Sequence, residues 1–271
     1  MGKRARKIPL LKAGIITDIH YGIDIGSKLG SKAPRLMTAF TKAAALYQPD
    51  FVVDIGDRIS GRNPRDDRSC MEALQTYFSR INAPVYTVIG NHDVRFLTRA
   101  DNEQITGNPA TSWSLDRGDF HLLFWNPEII RDAYGLHVRP EDIDWLRQDL
   151  SATDKRTLMF SHIPLDHEPP ATPNPHEQIA MRFHLSESNK IRQVLEDSGR
   201  VVLCMSGHVH RNHRSQINGI HYVSQQSLTQ MYQKHYRIPA RAWSWLEVFN
   251  GEILIRLQGK VTKNYHIALA P

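Results

Sequence analysis

The sequence predicts an α/β protein with mixed sheets, on three observations. Short β-branched or apolar runs recur along the chain, segments of helical periodicity lie between most of them, and a late pair of alternating segments is joined by Asn250-Gly251. At 271 residues and 41% hydrophobic content, the chain can bury a substantial core.

The first run, "AGIIT" (13–17), comes after a basic start and has the β-branched character of a buried parallel strand. Residues 22–33 place Gly22, Gly26 and Gly30 in polar surroundings and read as a mobile strand-to-helix loop. Leu36, Phe40, Ala43 and Tyr47 then recur at helical spacing, before a second strand, "FVVDI" (51–55). Met71, Leu74, Phe78 and Ile81 mark a second helix, and "VYTVI" (85–89) a third strand. "FHLLFWN" (120–126) suits an antiparallel strand; Ile143, Leu146 and Leu150 give a helix with Pro140 in its first turn. Two further strands, "LMFS" (158–161) and "VVLCMS" (201–206), enclose a helix over about 186–198 that stops at Gly199. "SWLEVF" and "EILIRL" form a hairpin around Asn250-Gly251. Residues 164–184 hold five of the fifteen prolines and form a non-repetitive insertion, either a binding wall or lid or a disordered surface segment. The domain plan is a basic tail over 1–12 and a single domain over 13–271 carrying that insertion.

Composition excludes several classes. No window approaches the roughly 18 apolar residues of a membrane span, and Lys12 and Asp18 interrupt the first apolar run, so neither a membrane segment nor a signal peptide is expected. Two cysteines, Cys70 and Cys204, make no disulfide framework, which favours a reducing cytoplasm. The net charge of +6 resides in the tail: of 34 basic residues, Lys3, Arg4, Arg6, Lys7 and Lys12 stand there without an acid, and the remaining 29 face 28 acids. The tail reads as a solvated terminus and no nucleic-acid partner is expected.

The residues at the strand ends carry the chemistry. The first strand ends in Asp18-Ile19-His20, the second in Gly56-Asp57, the third in Gly90-Asn91-His92-Asp93, the fourth in His162 and the fifth in Gly207-His208-Val209-His210. In an open α/β sheet the carboxyl ends of the strands form the ligand crevice, so these positions should converge. Histidines and acids gathered at the rim of a core are costly to desolvate unless something uses them. Two imidazoles two apart on extended chain project to one side, and an Asn ending a strand is a poor choice unless its amide oxygen is used.

With these residues in that order, the sequence resembles the calcineurin-like metallophosphoesterases. Their pattern runs Asp-x-His, Gly-Asp-x-x-x-Gly (here Gly56 to Gly61), Gly-Asn-His-Asp/Glu, a lone His and Gly-His-x-His. The resemblance spans about 13–210, and His20 makes the chain look most like the branch containing cyclic-nucleotide and glycerol phosphodiesterases. It implies a mixed β-sandwich flanked by helices on both faces, a four-layer αββα fold. It also implies two divalent metal ions, Mn, Fe or Zn: Asp18, His20, Asp57 and His210 would hold one, and Asp57, Asn91, His162 and His208 the other. His92, the residue that binds no metal, would be catalytic at the leaving oxygen, and Asp93 would orient a neighbour. Arg58 is a candidate phosphate contact, with a solvated outward orientation as its alternative. His213, Tyr232, His235 and Tyr236 are candidate contacts to a base or an alcohol, although such aromatics equally suit a core or a homo-oligomer contact.

The function implied is hydrolysis of a small-molecule phosphodiester by a metal-activated water. Phosphomonoester or nucleotide pyrophosphate hydrolysis is the alternative on the same site, and a catalytically silent metal-binding module the third. The sequence contains no phosphate-binding Gly-x-x-x-x-Gly-Lys-Ser/Thr loop and no Gly-x-Ser-x-Gly elbow.

Overall fold

A computed structural model describes residues 8–166, 183–233, 235 and 237–269. In chain order, the strands of its two main sheets are β1 (Leu11–Ile16), β2 (Phe51–Asp54), β3 (Val85–Thr87), β4 (Trp113–Arg117), β5 (Phe120–Trp125), β6 (Arg156–Ser161), β7 (Val201–Ser206), β8 (His213–Ile217), β9 (Ile220–Ser224), β10 (Trp243–Phe249), β11 (Glu252–Gln258) and β12 (Lys263–Ala268). The α-helices among the described residues are α1 (Ala33–Tyr47), α2 (Pro64–Phe78), α3 (Arg99–Thr106), α4 (Pro140–Ser151) and α5 (Ser188–Ser198).

One six-stranded sheet has the order β12-β11-β10-β1-β2-β3, the other β8-β9-β7-β6-β5-β4. In the first, β1, β2 and β3 are parallel neighbours; in the second, β5, β6, β7 and β9 are. The antiparallel strands are β10, β11 and β12, which make up one half of the first sheet, and the edge strands β8 and β4 of the second; the β10–β11 hairpin turns at Gly251, φ 90°. The inner faces of the sheets share one core, where Ala13, Ile15, Phe51 and Val53 meet Phe124, Leu158, Phe160 and Leu203. On the outer face of the first sheet, Ile16, Val52 and Trp245 pack against Leu36, Phe40, Leu74 and Phe78 of α1 and α2. On that of the second, Leu123, Met159 and Cys204 pack against Leu146, Leu150, Ile191 and Leu195 of α4 and α5. The result is the αββα order, and period-2 alternation in β1 explains it: odd positions face one layer and Ile16 the other.

Local chemistry sets the helix ends. Asn63 accepts from the Asp66 amide ahead of α2, with Pro64 at the first helical position and Asp66 and Asp67 in the positively polarised first turn. The sequence reading lacks α3, whose signal is the Thr98/Asp101 capping box.

Three expectations are corrected here. Lys12 belongs to β1 rather than to a tail: it pairs with Glu247, its amide donates to Asp50 Oδ2 at 2.7 Å, and its ammonium donates to the Tyr47 carbonyl. Residues 22–33 are not a plain loop, because Asp24–Ile25 and Lys28–Leu29 form a short hairpin that runs through a 3-10 turn into α1. Strand β3 ends at Thr87, two residues early. Most of the proline-rich insertion, 167–182, lies outside the described residues, as do residues 1–7 of the basic tail. Among the described residues, no helix is long and apolar enough to cross a membrane.

One pairing gives the fold a pH dependence. His121 on β5 places Nδ1 2.8 Å from Asp116 Oδ1 and Nε2 2.9 Å from Asp149 Oδ2. The hydrogen bond to Asp149, together with that to Asp116, outweighs burial and raises its pKa above the ordinary 6.5. A raised folded pKa contributes stability that is complete below the unfolded value and is lost as pH rises through the folded one. The stability gap between the wild type and His121→Gln should therefore shrink as pH rises above the ordinary histidine value of about 6.5 in urea titrations. A gap independent of pH would contradict the pairing.

Candidate metal centre

The parallel strands β1, β2 and β3 of one sheet and β6 and β7 of the other end at the same rim, and the loops that leave them are stitched together by backbone bonds. Asp18 N donates to the Gly56 carbonyl at 2.9 Å, His20 N to the Asp57 carbonyl at 3.0 Å and Gly207 N to the His162 carbonyl at 3.0 Å. Other bonds cross between the sheets: His208 N donates to Asp18 Oδ2 at 3.0 Å, and His162 Nδ1 lies 2.8 Å from the Ile55 carbonyl. This approach explains the motif glycines. A Cβ on Gly90 would sit 2.2 Å from Asp57 N, and one on Gly207 would sit 2.1 Å from Thr17 Oγ1.

The loops bring together the residues expected from the sequence. Ligand-type atoms of Asp18, His20, Asp57 and His210 lie within 4.8 Å of one another, as do those of Asp57, His162 and His208, so that Asp57 belongs to both groups. Asn91 lines the same cleft as both groups, its Oδ1 buried. His210 Nε2 is 3.1 Å from Asp18 Oδ1 and 3.0 Å from His20 Nε2, and His162 Nε2 is 3.4 Å from Asp57 Oδ1. Asp18, His20, Asp57, His208 and His210 all have positive φ, between 45° and 64°. Left-handed backbone costs on the order of 1–3 kcal/mol at a non-glycine residue and concentrates at functional sites.

The hydrogen bonds prepare these side chains to bind cations. A carbonyl oxygen accepts only, so His20 donates Nδ1–H to Ile59, His92 to Ser60 and His162 to Ile55, which turns Nε2 of His92 and His162 toward the cleft and that of His20 toward His210. Asp18 spends Oδ2 on Thr17 and the His208 amide, and Asp57 accepts the His92 amide on Oδ1. Asp18 Oδ1, Asn91 Oδ1, His162 Nε2 and His208 Nε2 are buried without a hydrogen bond among the described residues. Buried acceptors are rarely left unmade, and four aimed at one place mark a missing positive partner. Electrostatics agrees for two of the histidines, since burial pushes His20 and His208 down to about 3 and keeps them neutral; the Asp57 carboxylate overcomes burial and holds His162 up at about 10, so a cation there would displace a proton from its Nε2. The donor set, oxygen and imidazole without thiolate, fits a divalent transition metal.

Asp93 acts as expected on its neighbours. Its carboxylate accepts the backbone N–H groups of Asp57, Arg58 and Gly90 at 2.8–2.9 Å and ties the second motif loop to the third. Arg58 goes elsewhere than expected. It is neither at the centre nor in solvent but 2% exposed, with Nε donating to Asp54 and its guanidinium 5.1 Å from the Phe78 ring. A carboxylate at the end of β2, four residues back, and an aromatic face outcompete water for it. His213 also lies off the cleft, its Nε2 3.3 Å from Asp166 Oδ2. Tyr232 and His235 are exposed away from the cleft, and Tyr236 lies outside the described residues.

The cleft above the centre has a volume of about 960 Å³. Trp125, Ile129, Leu136 and Leu185 form an apolar wall on the side of His162 and His208; the Asp24–Leu29 hairpin, His92 and Arg95 line it as well. Two residues escaped the sequence reading. Gln230 accepts from His210 Nδ1 at 2.8 Å, and Lys28 places Nζ 3.2 Å from His92 Nε2. Neither belongs to a motif.

Comparison with known proteins agrees with this geometry. The Metallophos family, calcineurin-like phosphoesterase, matches residues 11–212. The chain belongs to that family. As a calcineurin-like phosphoesterase it is a hydrolase of phosphoric esters, and its αββα layers are those expected of the family. It is 25% identical to a 3′,5′-cyclic-nucleotide phosphodiesterase of Nostoc sp. over 84% of this chain and 81% of the relative. It is 22% identical to a manganese-dependent ADP-ribose/CDP-alcohol diphosphatase of Arabidopsis thaliana, over 83% and 88% of the two chains. Among solved structures, a dimetal phosphatase from Danio rerio matches this phosphoesterase with a TM-score of 0.79 at 16% identity, covering 97% of this chain and 100% of that one. Purple acid phosphatase PPD1 of yellow lupin matches with a TM-score of 0.66 at 15% identity, covering 95% and 53%. At those identities the structural likenesses establish the fold alone.

Proposed function

We propose that this phosphoesterase is a dinuclear-metal phosphodiesterase acting on a small molecule. Asp18, His20, Asp57 and His210 hold one ion, Asp57, Asn91, His162 and His208 the other, and His92 is the catalytic residue at the leaving group. The observation that carries this reading is the pair of donor groups sharing Asp57, with four buried acceptor atoms left unpaired between them. Bound there, divalent ions supply a water of lowered pKa and neutralise charge on the phosphoryl oxygens. The chain supplies the rest. Asp93 holds the Asp57 and Asn91 loops in register, and carbonyls fix the tautomers of His20, His92 and His162. A cleft extending past the centre holds ester groups on either side of the phosphorus. The diester preference rests on that extent and on the names of the two relatives, a cyclic-nucleotide phosphodiesterase and a diphosphatase. Manganese is the metal we favour, from the donor set and from the manganese-dependent relative. Unpaired thiols at Cys70 and Cys204 support the reducing, cytoplasmic setting expected from the sequence.

Chelation should abolish hydrolysis of a bis-nitrophenyl phosphate, Mn²⁺ should restore it better than Mg²⁺, and the matched monoester should be cleaved more slowly. Full activity in the stripped protein would sink the reading.

A further inference from the structure

The hairpin that carries Lys28 is fastened to the centre. Lys28 bridges to Gln230, Leu29 N donates to the Thr229 carbonyl at 3.0 Å, and Met231 N donates to the Ser27 carbonyl at 2.7 Å. Gln230 in turn holds His210. The Lys28 ammonium is thus carried on an anchored element, half-buried, and faces the cleft beside His92. An ammonium has three donors, and among the described residues only one is engaged, with the neutral acceptor His92 Nε2. No carboxylate of the described residues lies within 4.0 Å of it. Arg95 lines the same cleft, its stem packed against Gly61 and its guanidinium likewise unpaired with any described carboxylate. Arg99, by contrast, is satisfied by the carbonyls of Ala110, Asn126 and Pro127. Burial depresses the Lys28 pKa against the opposing pull of the Asp57 and Asp18 carboxylates, and the charge of Arg95 adds to the depression. Two cations that line one cleft, neither in an ion pair with a carboxylate among the described residues, are arranged for an anion from outside.

We propose that Lys28 and Arg95 form a subsite for a second phosphoryl group, so that the preferred substrate is a diphosphate diester. The inference rests on the diesterase reading above and sharpens it. Water adds across the P–O–P bridge: one P–O bond forms, one breaks, and two phosphate monoesters result. The bridging oxygen departs with the phosphoryl group that Lys28 and Arg95 hold, where its new charge meets two cations. The apolar wall opposite takes the organic group of the phosphate under attack.

The test compares the methyl ester of adenosine 5′-diphosphate with adenosine 5′-(nitrophenyl phosphate), whose leaving group is of similar basicity but carries no second phosphate. Lys28→Met should lose about 10- to 100-fold in kcat/KM on the diphosphate, mostly through KM, and about 3-fold or less on the nitrophenyl ester, the range expected for a charge-assisted contact. Lys28→Arg should recover most of the loss, and Arg95→Gln should act in the same direction. Calorimetry with the uncleavable α,β-methylene analogue should show a matching loss of affinity in Lys28→Met. Equal losses on both esters would mean that Lys28 acts through His92, and unchanged affinity for the analogue would remove the subsite; either overturns the proposal. Should the wild type cleave neither ester, the diesterase reading fails, while the calorimetric comparison still decides the role of Lys28.

Discussion

Asp57→Asn is expected to lose nearly all turnover, on the order of 10³-fold or more, together with at least one of two bound metals. Asp57 is the residue common to both donor groups, fully withdrawn from solvent, with Oδ1 toward His162 and Oδ2 toward His20. The amide of Asn keeps the shape and can still accept from the His92 N–H, so the loop should survive. What goes is the negative charge that two divalent ions share, and an NH₂ group now faces one of them. Elemental analysis of the purified variant checks this. Two metals per chain in Asp57→Asn would show that the residue does not bridge.

His92→Ala should keep both metals and the fold yet lose on the order of 10²–10⁴ in rate, the usual contribution of a positioned general acid. Its ring is held by Nδ1–H donated to Ser60 at 2.6 Å, while Nε2 meets the Lys28 ammonium in the cleft. The loss should track the leaving group. An alkoxide needs a proton as it departs and a nitrophenolate does not, so alkyl esters should suffer much more than nitrophenyl esters. Equal losses with metals retained would reassign His92 to orienting the phosphoryl group.

The proposed ligands were legible in the sequence because each lies within a few residues of a strand end, and a parallel sheet sends such ends to one rim. Five apolar runs sufficed to gather Asp18, Asp57, Asn91, His162 and His208 at one rim, and the resemblance to the calcineurin-like metallophosphoesterases made them candidate ligands. The glycines beside them were legible as motif letters, but their reason, Gly90 against the Asp57 backbone and Gly207 against Thr17, is tertiary. Arg58 misled because a charged residue beside a proposed ligand reads as a substrate contact, whereas Asp54 four residues back and Phe78 capture it inside. Lys28 and Gln230 were invisible: they lie 202 positions apart in the chain and meet only when the hairpin folds against the loop after β9. The hairpin was also misread, since two-residue strands carry no periodicity to detect.

The central claim is that two ions sit in one cluster and share Asp57. Anomalous diffraction from crystals grown with Mn²⁺ measures this directly. The account predicts two peaks, one bounded by Asp18, His20 and His210, the other by Asn91, His162 and His208, with Asp57 in contact with both. A single peak, or peaks away from Asp57, would contradict it.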